Sequence, residues 1–181
     1  MPEVIYYVAS SLDGCIATAG GGVEWLSPYQ SRGDSYEYTE FYESVDSVMM
    51  GSRTYEKCLQ MGAWPCPGKP TWVFTHRGLP SADPYVTLTA ATPVQLVADL
   101  DAQGMRRAWL VGGGKLASAF RSQGLIGEYI LSVAPVILGA GIPMFARPIS
   151  PEKLTLVDSE RLPNGLMRLH YRRAQATGSR Q

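Results

Sequence analysis

The sequence offers little to a metal ion. Its 181 residues include two histidines, His76 and His170, and three cysteines, Cys15, Cys58 and Cys66. The cysteines are odd in number and none stands in a C-x-x-C pair, so neither a zinc site nor a disulfide framework is expected. Three free thiols in a reducing compartment are expected instead. Neither sign of charge is in excess: 16 Lys and Arg balance 16 Asp and Glu. No basic run interleaves with aromatics, which removes the electrostatic footprint of a nucleic-acid binder. No stretch reaches the roughly 18 apolar residues of a membrane span. The opening MPEVIYYVASSLDG has no basic n-region, so it does not read as a signal peptide. The expectation is a soluble, cytoplasmic protein with a small-molecule substrate and neither nucleic acid nor membrane as partner.

Internal repeats and linkers are also lacking. A chain of this length with 45% hydrophobic residues is long enough for one domain with a sizeable core. Residues 1–173 are expected to form that domain. The small, polar stretch 174–181 is expected to be disordered.

What is present is organised around Arg107 to Gln123. Ala108–Val111 is a short apolar run suited to a buried strand. Gly112, Gly113 and Gly114 follow, and then Leu116, Ala119, Phe120 and Gln123 recur at helical spacing. Glycines let a ligand approach the backbone closely, and a helix start presents free N–H groups and a positive dipole end to an anion. Lys115 adds a charge there. A tight turn with no ligand is the plainer alternative. The stretch matches neither G-x-G-x-x-G nor G-x-x-x-x-G-K-[ST].

The rest of the chain alternates strands and helices. Val4–Ala9 predicts a central strand covered on both faces. After the Asp13-Gly14 turn, a loop over Cys15–Val23 holds Gly20, Gly21 and Gly22 and is expected to move as a lid closed by Trp25. Trp25 should pack on core or on ligand. A helix over Ser31–Ser44 buries Tyr38, Phe41, Tyr42 and Val45, with Glu40 and Glu43 in solvent. Asp34 and Glu37 are cleft candidates, against the alternatives of an N-cap and a surface carboxylate. Ser47–Gly51 is a second strand, followed by a helix over Ser52–Gln60 with Arg53 and Thr54 at its start, a second plausible anion site. Gly62–Pro70 is a rigid loop. A third strand, Thr71–Thr75, ends in Thr75, His76 and Arg77. A short strand follows at Tyr85–Leu88, and Thr92 caps a helix over Pro93–Asp101. Glu128–Val133 is a strand, and Pro163-Asn164-Gly165 joins Leu154–Arg161 to Leu166–Arg173 as an antiparallel hairpin. This is an α/β domain with a mixed, mostly parallel central sheet and a C-terminal antiparallel hairpin.

Four segments in order resemble the dihydrofolate reductase superfamily, closest to the branch of the RibD C-terminal reductase domain of riboflavin biosynthesis. They are VASSLDGCIA (8–17), MGSRTYE (50–56), LVGGGKL (110–116) and ILSVAPVILGAGIPMF (130–145). The resemblance covers about residues 4–173 and implies a three-layer α/β/α dihydrofolate-reductase-like fold. It also implies NADPH as cofactor. The pyrophosphate would meet Gly112, Gly113, Gly114 and Lys115 on one side and Gly51, Ser52, Arg53 and Thr54 on the other. Thr75, His76 and Arg77 would hold the 2′-phosphate. Many relatives carry arginine where this chain has Ser52, which bears on NADPH against NADH.

On the substrate side the resemblance points to Glu37 as the acid of the first helix, with Phe41 four residues on, Trp25 on the mobile loop and Ser132 opposite. Placing Glu37 there needs a two-residue shift relative to MGSRTYE; without it Ser35 takes the place, and Asp34 also remains open. In the RibD-type branch the turn residues Ser11 and Asp13 lie near the substrate. The implied reaction is hydride transfer to a C=N or C=O of a pyrimidine- or pterin-like substrate, of the 5-amino-6-(5-phosphoribosylamino)uracil reductase type. Dihydrofolate reduction is one alternative and a nucleotide-binding module without turnover another. The zinc deaminase motifs H-x-E and P-C-x-x-C are absent from the sequence. Such relatives are often homodimers, which makes Tyr129–Leu138 an interface candidate.

Overall fold

Strand β1 (Glu3–Ser11) is flanked by parallel neighbours on both sides, which is why its sequence is nearly all apolar. The computed structural model describes residues 1–29, 36–60, 62–81, 83–148 and 150–174, and of Tyr36 and Glu37 the backbone alone. After β1 come β2 (Cys15–Thr18), a 3-10 helix (Glu24–Tyr29), α1 (Tyr36–Ser44), β3 (Ser47–Gly51) and α2 (Ser52–Gln60). Then follow β4 (Thr71–Phe74), β5 (Val86–Thr89), α3 (Pro93–Ala102), β6 (Arg107–Gly112) and α4 (Gly114–Ser122). The chain finishes with β7 (Ile126–Ala134), β8 (Gly141–Pro143), β9 (Leu154–Arg161) and β10 (Met167–Arg173).

Eight strands form one sheet in the order β5-β4-β3-β6-β1-β7-β10-β9. The first six in that order run parallel; β10 runs antiparallel to β7, and β9 antiparallel to β10. This is the mixed sheet with a closing hairpin that the sequence predicts. Alternate side chains of the strands feed two cores. Val4, Tyr6, Met49 and Leu110 face one way and pack with Leu96, Val97 and Leu100 of α3 and Ala117 and Phe120 of α4. Ile5, Val48, Met50 and Trp109 face the other way and pack with Tyr38, Phe41 and Tyr42 of α1 and Tyr55 of α2. Two helical layers thus enclose the sheet, a three-layer α/β/α arrangement.

Local signals decide the helix ends. Thr92 caps α3 in a full capping box with Gln95, ahead of Pro93 at the first helical position. Helix α4 buries Gly114, Ala117 and Phe120 and leaves Gln123 exposed past its end. Its inward face is therefore turned from the expected Leu116–Ala119–Phe120–Gln123 stripe, because Gly114 is the residue drawn against the neighbouring chain. A Cβ there would run into the carbonyl oxygen of Pro143.

Two other expectations change. The predicted lid loop begins as a strand: β2 pairs antiparallel with β8. Cys15 and Ala17 are buried, and Gly141 lets the strands close up, since a Cβ on it would meet the Ala17 carbonyl. Gly21 and Gly22 then form a turn closed on Thr18. The helix predicted over Ser31–Ser44 is described from Tyr36; Asp34 and Ser35 lie outside the described residues, as does the 175–181 tail. Among the described residues no helix is long and apolar enough to cross a membrane.

The tight approach at Gly114 predicts that Gly114→Ala costs about 1–3 kcal/mol, the range for forced overpacking. That corresponds to a melting temperature lower by several degrees for a domain of this size. Gly20→Ala, where an added Cβ meets nothing within 4 Å, should leave it unchanged. Equal melting temperatures for both variants would contradict this packing.

Candidate active site

Strands β3 and β6 are parallel neighbours, and each turns through glycine into a helix. Gly51 ends β3 and Gly112 ends β6. A Cβ on Gly51 would stand 3.7 Å from the Gly112 carbonyl oxygen and 3.8 Å from the Gly113 nitrogen. One on Gly113 would stand 3.5 Å from Thr54 Oγ1 and 3.8 Å from Ile16. The two glycine segments, far apart in sequence, therefore form one place. Gly112 has φ +120°, a backbone state that L side chains rarely adopt. Gly113 is the N-cap of α4 and supplies no side-chain cap. The first-turn N–H groups of α2 and α4 have no intrahelical partners, and their dipoles converge here. Arg53 and Lys115 are exposed at the two helix starts.

Not all of the expected cradle faces a ligand in the same way. Gly114 serves the Pro143 crossing. Its carbonyl accepts from Ala146 N at 3.3 Å, so the 141–146 segment is fastened over this helix start. Thr75 and Arg77 sit just beyond β4, where Arg77 N donates to Thr75 Oγ1 at 2.9 Å. The Arg77 guanidinium is already taken by Glu56 of α2, in a two-pronged pair at 3.0 and 2.8 Å. That hydrogen bond, outweighing slight desolvation, holds the Glu56 carboxyl below its ordinary value, with the charges of Arg77 and Arg53 adding to it. His76 is exposed.

Beside this cradle, across β6, β1 and β7, lies a cavity of about 210 Å³ lined by Tyr7, Val8, Ala9, Leu26, Tyr29, Tyr38, Trp109, Ser132 and Leu166. Trp109 stands three residues before Gly112 on the same strand, roughly 10 Å along it. Its ring meets Tyr38 at 6.0 Å and Phe41 at 5.6 Å edge-on, and its Nε1 donates to the Tyr7 carbonyl at 3.0 Å. The cavity is thus walled by aromatic rings held in fixed orientations. Among the described residues of its lining, Ser132 is the one expected on the substrate side. Phe41 lines a neighbouring cavity with Tyr7, Ile130, Asp158, Arg168 and His170. Trp25 packs with Leu26 and Tyr29 on Ala134, Leu162 and Leu166, which is the core alternative rather than the ligand one. Glu37 falls in the first turn of α1, with its side chain outside the described residues.

Ser11 and Asp13 serve the chain itself. Ser11 Oγ donates to Asp13 Oδ1 at 2.6 Å and accepts from Cys15 N at 2.9 Å. The Asp13 carboxylate also accepts from Leu138 N at 3.1 Å and Gly139 N at 2.8 Å. It ties the turn after β1 to the Pro135–Gly141 stretch. Trp109, Tyr7 and Tyr29 were not singled out from the sequence, and Tyr38 only as part of its helix's buried stripe. For Tyr7 and Trp109 the signal available was strand alternation, which turns both to the face that packs on α1. Among the described residues no group of three or more potential ligands is placed to hold a metal.

The model of the RibD C-terminal domain matches residues 61–168. The chain belongs to the RibD C-terminal domain family. It is 34% identical over 173 residues to the uncharacterized protein YwjB of Bacillus subtilis, a match covering 95% of this chain and 98% of that one. It is 28% identical over 167 residues to the riboflavin biosynthesis protein RibD of Corynebacterium ammoniagenes, covering 82% of this chain and 48% of RibD. Among solved structures, a candidate riboflavin biosynthesis protein of Shewanella sp. PV-4 superposes with a TM-score of 0.85 at 28% identity, over 97% of this chain and all of that one. The Shewanella structure shares the three-layer fold described above, which is dihydrofolate-reductase-like.

The Asp13 network generates a pH prediction. The Ser11 hydroxyl, first, and the Leu138 and Gly139 amides hold the Asp13 carboxyl below its ordinary value. A carboxylate lowered in the folded state adds stability above its unfolded value, about 3.9, and loses it as the pH falls through the folded value. Urea midpoints of Asp13→Asn should lie below those of the wild type at neutral pH, with the gap closing below about pH 4. A gap that persists unchanged to pH 2–3 would show that the charge is not what holds the turn.

Proposed function

We propose that this protein is an NADPH-dependent reductase that transfers hydride to a C=N or C=O carbon of an aminopyrimidine- or pterin-like substrate. The observation that carries this reading is the convergence of two glycine-bearing helix starts beside an aromatic cavity at the C-terminal ends of parallel strands. In open α/β sheets that crevice is where ligands bind. Family membership supports the same reading, and the name of the RibD relative points to a riboflavin-type pyrimidine.

The residues fit a dinucleotide. The N–H groups opening α2 and α4 suit a pyrophosphate, with Arg53 and Lys115 supplying positive charge and Thr54 a hydroxyl. When bound, the nicotinamide supplies the hydride, and the fold supplies position and exclusion of water. Trp109, Tyr7 and Tyr38 suit a planar ring by stacking and edge contacts. Ser132 offers a hydroxyl on β7 to a ring heteroatom. Glu37, one helical turn before Phe41, is the proposed acid that binds the aminopyrimidine edge through paired N–H···O bonds and delivers the proton to the heteroatom beside the reduced carbon. Asp13 acts through the loop it holds.

Titration with NADPH and NADH, followed by energy transfer from tryptophan to the nicotinamide, tests the cofactor reading. Micromolar NADPH binding, with NADH weaker, is expected; binding of neither would overturn the reductase. Because Glu56 neutralises Arg77, Glu56→Gln should free the guanidinium for the 2′-phosphate and raise the NADPH preference roughly three- to tenfold. An unchanged ratio would remove Arg77 from the cofactor site. Glu37→Gln should abolish turnover and leave NADPH affinity intact.

A further inference from the structure

The Pro163-Asn164-Gly165 turn does more than join two strands. Strand β9 is exposed along almost all of its length, and β10 is at most half-buried. Yet the two leucines that flank their turn are buried, Leu162 at 6% and Leu166 at 9% exposure. Leu162 N donates to the Leu166 carbonyl at 2.8 Å, and Gly165 N to the Leu162 carbonyl at 3.0 Å, which closes the turn. Both leucines enter a small core with Ala134 of β7, and Trp25, Leu26 and Tyr29 of the 3-10 helix pack onto it. The tip of the hairpin is therefore docked against the 3-10 helix.

This joint forms part of the aromatic cavity. Leu26 and Tyr29 from the helix and Leu166 from the hairpin are three of its walls. The remaining walls come from β1, β6, β7 and α1 and are held by sheet pairing and core packing. The 3-10 helix is six residues long and has no fully buried side chain. Besides its packing, it is fastened to other elements near its two ends. At the start, Glu24 meets Lys57 of α2 at 3.7 Å, an ion pair open to solvent and therefore screened and weak. At the end, Asn164 Nδ2 donates to the Tyr29 carbonyl at 2.7 Å. The last carbonyls of a helix find no donor within it, so this bond satisfies a group that the helix leaves open. Asn164 Oδ1 meanwhile accepts from Leu166 N at 3.2 Å. One amide thus shapes the turn with its oxygen and holds the cavity wall with its nitrogen.

We propose that Asn164 is a positioning residue for the ring site: by holding the Tyr29 carbonyl, it sets Tyr29 and Leu26 against a planar ring bound in the cavity. The proposal rests on the ring-binding reading of that cavity and adds the residue that keeps this wall in place. Asn164 acts through Tyr29 and is itself no part of the cavity lining. A near-isosteric change isolates its role. Asn164→Asp keeps an oxygen for Leu166 N and remains a good turn residue. It also brings a second acceptor oxygen against the Tyr29 carbonyl, so the tie is lost while the turn is kept. Asn164→Ala removes both bonds.

Two measurements on Asn164→Asp test this. The first is hydrogen–deuterium exchange of the free protein. The second is calorimetric titration with NADPH and then, on the NADPH-loaded protein, with 5,6-diaminouracil as the ring probe. Exchange across Trp25–Tyr29 should quicken while the β9 and β10 amides stay as in the wild type. Diaminouracil binding should weaken about three- to tenfold, the range of one hydrogen bond, with NADPH affinity unchanged. Asn164→Ala should weaken diaminouracil similarly and also quicken exchange in the hairpin. Equal diaminouracil affinity in wild type and Asn164→Asp, whatever the exchange shows, overturns the role and leaves the ring site standing. Joint loss of NADPH and diaminouracil binding in Asn164→Asp, or quickened exchange along its whole hairpin, reduces Asn164 to a folding residue and overturns the role as well. A wild type that binds NADPH and not diaminouracil overturns the ring reading and the positioning role with it.

Discussion

Two neighbouring parallel strands, β3 and β6, end level with each other, and each is followed by a glycine and a helix. The rest of the proposed site depends on this constraint. Parallel pairing brings Gly51 within reach of Gly112 and Gly113, and the two helix starts then point at one place. Neither glycine segment makes a strong anion site alone. Together they place two sets of unpaired N–H groups, two dipole ends and two basic side chains around one opening. The segment after β7 is laid over this opening by contacts that are purely structural. Gly114 admits the Pro143 crossing, the Asp13 carboxylate holds Leu138 and Gly139, and Tyr6 donates to the Met144 carbonyl at 2.9 Å.

The same sheet separates two kinds of chemistry. At the C-terminal ends of β3 and β6 lie the glycine turns, and across β6, β1 and β7 the aromatic cavity. Further along β7 and on the β10–β9 hairpin the side chains on the same face turn ionic, from Ser132 and Arg168 to Glu128 and Arg172. Burial pushes the Glu128 carboxyl up, yet the Arg172 hydrogen bonds, the hydrogen bond with Glu3 and the charges of His170 and Arg172 together outweigh it and hold it below its ordinary value. Glu3 is pushed up, first by its own burial and then by Glu128. This cluster makes the hairpin a fixed wall for the second cavity, because breaking it would leave a buried carboxylate without its partners.

Much of the fold was legible because its signals are local or periodic. The apolar runs at Val4–Ala9 and Ser47–Gly51, the Thr92 capping box and the Pro163-Asn164-Gly165 hairpin each carry their own instruction. So do the glycines after β3 and β6, whose family likeness extends a physical reading made from the turn alone. What was not legible was set by long-range contact. β2 is a strand only because β8 pairs with it, and nothing in Cys15–Thr18 announces that partner. Helix α4 turns its face inward at Gly114 because Pro143 crosses there. Arg77 looks like a free cation in sequence, but the fold places Glu56 of α2 against it. The aromatic box around Trp109 joins residues from β1, β6 and α1, and the polar row beside it comes from a register between β7, β10 and β9 that no single segment encodes.

The central claim is that the openings of α2 and α4 together receive the pyrophosphate of a nicotinamide dinucleotide. Hydrogen–deuterium exchange of the protein with and without saturating NADPH measures it most directly. The account predicts strong protection of the amides at Ser52–Tyr55 and Gly113–Leu116 together, with little change at the far ends of the same helices. Protection of one helix start without the other, or protection confined to a different face of the sheet, would contradict it.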